Sequence, residues 1–148
     1  MIYIAHRGNL YGPEPNEENR ISYIRRGLLA GFMVEVDIRF VDGEWWTGHD
    51  VPIDEIPEEM LTNQNILWHA KTMETAEAII GNDSLRDFMH WFWHEDDHFC
   101  LTSRGWLLSH ALREPVSNCI QVSLTTAGPA EGVRGICSDF VGNLRRGL

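Results

Sequence analysis

The stretch IAHRG, residues 4–8, carries an apolar run into a histidine, an arginine and a glycine. With Ile2 and Tyr3 before it, the run predicts a buried β-strand over residues 2–6. Barrels and open α/β sheets place their chemistry at the carboxyl ends of such strands. His6 stands at that end and can exchange a proton near neutral pH. Arg7 offers a planar fork of donors that suits phosphate or carboxylate. Gly8 permits a sharp turn or a close approach of backbone to a ligand.

The same theme repeats along the chain. A polar loop over residues 9–18 leads into a predicted helix from about Arg20 to Ala30, with Asn19 as N-cap and Gly31 as its stop. Residues 32–38 (FMVEVDI) read as a second strand, and residues 44–47 (EWWT) as a return strand toward Gly48, His49 and Asp50. ILWHA at 66–70 reads as a strand and is followed by a helix from about Met73 to Ile80. FMHWFWH at 88–94 reads as a further strand, which ends in Glu95, Asp96 and Asp97. Short strands are expected at 99–102, 106–109, 119–124 and 135–138, with Asp139 after the last. Strands that alternate with helices or short crossovers predict a mainly parallel α/β sheet. A barrel would gather the polar strand ends on one rim.

The chain has 148 residues, enough for one domain over 1–148. Twelve Lys and Arg against 22 Asp and Glu give a formal net charge of −10. That charge argues against nucleic acid and anionic membrane surfaces as partners. A phosphate-bearing substrate would therefore need a local positive site. No apolar stretch approaches the ~20 residues of a membrane span, and no signal peptide is visible. Cys100, Cys119 and Cys137 are odd in number and far apart, which fits buried thiols in a cytoplasmic protein.

Glu35 and Asp37 lie two positions apart in a strand, so both point to one face. Two carboxylates on an inward face are costly unless neutralised. A divalent cation is the simplest neutraliser, and oxygen ligands favour Mg²⁺ or Ca²⁺. His49 follows the return strand and pairs with His6 as a second imidazole. Acid–base chemistry on a phosphodiester needs one group to take a proton and another to give one. Lys71 shares a face with His69 if that strand extends, and could bind phosphate. His90, His98 and His110 fall at no spacing that marks a function.

The order His6-Arg7-Gly8, Glu18-Asn19, Glu35-x-Asp37, Asp42-Gly43, His49-Asp50 resembles the glycerophosphodiester phosphodiesterases, within the phosphatidylinositol-phospholipase-C-like phosphodiesterase superfamily. The resemblance covers roughly the first 50 residues. Further on, His69-Ala70-Lys71 falls where the family carries Glu-x-Lys, and residues 135–139 resemble its last barrel strand. The resemblance implies a TIM-type barrel that hydrolyses a small phosphodiester with a divalent metal. It implies His6 and His49 as acid and base, Arg7 and Lys71 at the phosphate, and Glu35 and Asp37 as metal ligands. Attack by the substrate's own neighbouring hydroxyl, giving a cyclic phosphate, would suit such a site.

Three departures from the family stand out. The chain is far shorter than the ~250 residues usual for the barrel, so some helices are expected to be missing or replaced by loops. Exposed sheet edges would then need cover, which a homodimer could supply. Position 69 is histidine, leaving His69 itself or Glu95 as third ligand and widening the metal choice to Mn²⁺ or Zn²⁺. The loop over residues 9–18 is longer and more polar than the family's. A degenerate barrel that only binds a phospholigand, and a phosphomonoesterase or lyase on the same scaffold, are the alternatives. Two retained imidazoles favour catalysis over binding.

Overall fold

A computed structural model describes residues 1–96, 98–110 and 117–147; Asp97 lies outside the described residues. The strands are β1 (Ile2–His6), β2 (Met33–Val41), β3 (Glu44–Thr47), β4 (Ile66–Ala70), β5 (Trp91–Phe92), β6 (Phe99–Leu101), β7 (Leu107–His110), β8 (Ile120–Val122) and β9 (Gly135–Ser138). The helices are α1 (Ile21–Leu29), α2 (Glu58–Leu61), α3 (Met73–Ile80), α4 (Asp83–Phe88) and α5 (Val141–Arg146).

Eight strands follow one another in the order β5-β4-β2-β1-β9-β8-β7-β6, and β3 folds back on β2 as a hairpin. All neighbours in that row are parallel except β6 and β7. The row curls into a nearly closed, barrel-shaped sheet. Its two ends meet where Ser103 N–H donates to Trp91 O at 2.7 Å and Trp91 N–H to Ser103 Oγ at 3.0 Å.

Alternation along each strand divides the apolar residues between two cores. Val34, Val36, Ile38, Ile66 and Trp68 face outward and pack under Ile24, Ala76 and Ile79 of the helices. Ile4, Leu67, Phe92, Leu108, Ile120 and Cys137 face inward and fill the barrel. The helical cover is uneven. Helices follow β1, β3, β4 and β9, whereas among the described residues none lies between β5 and β9. The expected loss of helices therefore falls on one half of the barrel. Among the described residues, no helix is long and apolar enough to cross a membrane.

Two local readings need correction. The apolar run 88–94 is not one strand: α4 occupies Asp83–Phe88, and only Trp91–Phe92 pair as β5. Asn82 caps α4 by accepting from Leu85 N–H at 3.1 Å, so the chain is helical until Phe88. Asn19 does not cap α1. It adopts φ 62°, and the first N–H of the helix, on Ile21, donates instead to Asp54 Oδ2 at 2.9 Å.

His90 lies buried at the seam between β5 and β6, where it shares a 2.9 Å hydrogen bond with Thr102 Oγ1 and meets the Trp106 ring edge-on. Burial, and then the Arg104 charge, push its pKa down from 6.5 to about 4. Between those values the unfolded chain binds a proton that the folded chain refuses. Stability should thus fall as pH drops from 6.5 to 4, by about 3 kcal/mol from this residue. Denaturant unfolding across that range should show the loss, and His90→Gln should flatten it. Coincident pH profiles for the two proteins would remove His90 from this role.

Candidate metal centre and its cleft

Strand register builds the site. His6 of β1 is level with Glu35 of β2, Asp37 of β2 with His69 of β4, and His69 with Phe92 of β5. Each of these is an inward position; His6, His69 and Phe92 lie at or next to the carboxyl ends of their strands, and Glu35 and Asp37 lie in the first half and the middle of β2. Glu35 and Asp37 are 3% and 1% exposed, so the expectation of two inward carboxylates holds. β2 lies between β1 and β4, and neither carboxylate reaches water along a free edge.

Glu35, Asp37 and His69 each offer a ligand atom, and the three atoms lie within 4.8 Å of one another. His69 Nδ1 is 3.3 Å from Asp37 Oδ1 and 3.5 Å from Glu35 Oε1. Asp37 Oδ1 is buried without a hydrogen-bond partner among the described residues. Such an oxygen, met only at ion-pair range by His69 and Lys71, has acceptor capacity that a cation could use. Two carboxylate oxygens and an imidazole nitrogen form a donor set that could hold a divalent cation. Glu95 stands exposed in the bend after β5, outside this cluster. Of the two third ligands considered, the structure brings in His69.

The other groups brace these carboxylates. Asn19 Nδ2 donates to Asp37 Oδ2 at 2.8 Å, while Asn19 Oδ1 accepts from Asp37 N–H at 3.0 Å. This reciprocal pair is what the left-handed Asn19 does in place of capping. Arg7 Nε lies 3.0 Å from Asp37 Oδ2, and Lys71 Nζ lies 3.6 Å from Asp37 Oδ1. Burial alone would raise the Asp37 pKa. His69, Arg7 and Lys71 outweigh it and hold the carboxyl well below the usual range.

Arg7 also reaches Glu18 Oε2 at 3.2 Å. The guanidinium carries five N–H donors, more than these two carboxylates use. Arg7 sits at φ 51° and Gly8 at φ 91°, so the chain turns abruptly off the end of β1. A Cβ on Gly8 would lie 2.7 Å from the Tyr23 ring, which makes glycine the residue that fits.

His6 donates through Nδ1 to Asp139 Oδ1 at 2.8 Å, because a carboxylate can only accept. Its Nε2 is left toward the cleft, 3.9 Å from Glu35 Oε2. Burial would lower the His6 pKa, yet the Asp139 hydrogen bond and the charges of Glu35 and Asp139 raise it overall. Asp139 Oδ1 also accepts from Asn9 Nδ2 at 2.9 Å, and Asn9 Nδ2 donates to Glu18 Oε1 at 2.8 Å. Asn9 is fully buried and was not anticipated; its only signal was a polar residue directly after the Arg-Gly turn.

His49 lies on the far side of the hairpin, beyond β3, and lines the same cleft as His6, Arg7, Glu35, His69 and Lys71. Its side chain is 41% exposed, with Nδ1 2.9 Å from Asp50 Oδ1. Arg39 of β2 steadies the turn by donating to the carbonyls of Gly48 and His49. All the residues assigned from the sequence except Glu95 therefore meet at one end of the barrel. Compared with known protein families, curated proteins and solved structures, the chain has no match.

The cluster makes a binding prediction that needs no knowledge of the reaction. Calorimetric titration with Mn²⁺ or Mg²⁺ alone should show binding to one site, weakened at least ~10-fold by Glu35→Gln, a loss of about 1.4 kcal/mol. Unchanged affinity in that variant would strike Glu35 from the ligand set.

Proposed function

We propose that the protein is a metal-dependent hydrolase of small phosphodiesters, with a glycerophosphodiester-like substrate. The observation that carries this reading is the convergence of three kinds of group in one cleft. These are the buried Glu35–Asp37–His69 set, the cations Arg7 and Lys71, and two imidazoles, His6 and His49. The resemblance of residues 6–50 to the glycerophosphodiester phosphodiesterases points the same way.

A cation held by Glu35, Asp37 and His69 would polarise a phosphoryl oxygen and balance the charge that develops on it. Arg7 and Lys71 would bind the remaining phosphate oxygens. In a chain of net charge −10, with both cations already paired to Asp37, a bound metal would complete the local positive site such a substrate requires. The nucleophile is a water or a neighbouring hydroxyl of the substrate. Its oxygen forms the new bond to phosphorus while its proton passes to one imidazole. The bond to the leaving alcohol breaks as the other imidazole supplies that oxygen with a proton. Asp139 fixes the tautomer of His6, so that Nε2 is the atom that faces the substrate. Cys137 is no rival nucleophile, because burial holds its thiol protonated.

The reading is tested with a generic aryl phosphodiester in the presence of Mg²⁺, Mn²⁺ or Ca²⁺. Turnover should stop with a chelator. His6→Ala and His49→Ala should each slow it by at least ~100-fold, the scale of lost acid–base catalysis. Full activity in both variants would sink the assignment, and hydrolysis of the monoester alone would favour a phosphomonoesterase.

A further inference from the structure

The cleft has two halves of different chemistry. The half nearest β1, β2 and β4 holds the charged groups already described. The half built by β5 to β8 is lined by Phe92, Phe99, Leu108, Val122 and Leu124, with Cys100 and the imidazoles of His94, His98 and His110 among them. Phe92 and Leu108 are buried and belong to the inner core of the barrel. Phe99 and Leu124 stand at the mouth, 44% and 38% exposed, so two large apolar side chains are held in water beside the phosphate site. Among the described lining residues, Glu35 is the only carboxylate, and it lies in the other half. A cationic alcohol such as choline would find no anionic partner among them on the apolar side.

The geometry points to an apolar ester group, alkyl or aryl, as the part of the substrate that occupies the β5–β8 half of the cleft. This inference rests on the phosphodiester reading and narrows its substrate class. The phosphate would sit against Arg7 and Lys71, and one of its two ester arms would lie along Phe92, Leu108 and Val122 toward Phe99 and Leu124. The burial gain comes from apolar area removed from water, so it should grow with chain length.

Two measurements test it independently of each other. In the first, glycerol phosphate esters of ethanol, choline and octanol are compared as substrates with Mg²⁺, the octyl ester below its micelle concentration. The octyl ester should exceed the ethyl ester in kcat/KM by at least ~10-fold, about 1.4 kcal/mol. Phe99→Asp and Leu124→Asp should each bring that ratio toward one. In the second, octyl phosphate, phenyl phosphate and ethyl phosphate are titrated as equilibrium ligands, which needs no turnover. Octyl and phenyl phosphate should bind more tightly than ethyl phosphate, and the order of the two separates an alkyl from an aryl preference. If no ester is cleaved yet octyl phosphate binds ~10-fold tighter than ethyl phosphate, hydrolysis fails and the apolar subsite stands. Equal binding of the three phosphates, a preference for the choline ester, or an octyl-to-ethyl ratio untouched by both substitutions would overturn it.

Discussion

Two carboxyl groups buried in the middle of a sheet are the constraint around which the structure is arranged. Glu35 and Asp37 occupy inward positions of β2, between two parallel neighbours, with almost no access to water. Each would destabilise the fold severely if left bare. The answer is drawn from several parts of the chain. Arg7 comes from the turn after β1, Asn19 from the residue before α1, His69 from β4 and Lys71 from the residue beyond it. The loop over residues 9–18 brings Glu18 to hold Arg7, and Asn9 to tie Glu18 to Asp139. One oxygen, Asp37 Oδ1, still lacks a hydrogen bond. That oxygen keeps acceptor capacity that a cation could use.

Much of the fold and site was legible because the first half of the chain states its pattern twice. In β1 and β2 an apolar alternation ends in polar inward residues, and period two assigns His6, Glu35 and Asp37 to one face without ambiguity. His69 entered only through the resemblance, at the place where the family carries Glu, with Glu95 as the alternative. The second half was harder for a physical reason. Its strands are two to four residues long, and such short runs show too few alternations to separate strand from helix. The segment 83–94 illustrates this: Asn82 and the acidic first turn signal a helix, while Phe88 to Trp93 advertise a strand. The structure uses both. Asn9 escaped attention and Asn19 was read as a helix cap because their roles depend on left-handed or turn backbone and on partners far away in sequence.

The unequal cover of the barrel links its size to its chemistry. The side bearing β1, β2 and β4 retains its helices, and these clamp the strands that carry the charged groups. The side from β5 to β8 is built from short strands and turns. It contributes apolar lining and the imidazoles of His94, His98 and His110, and none of the carboxylates assembled around Asp37. Economy in the fold has been taken where rigid placement of charge is not required.

Asp139 gives this design a further property. It follows the last strand, yet its oxygen orients His6 at the end of the first, 133 positions away in sequence. β9 can offer that oxygen only when it has docked beside β1. The orientation of the imidazole at the end of β1 is thereby tied to the seating of the last strand beside the first.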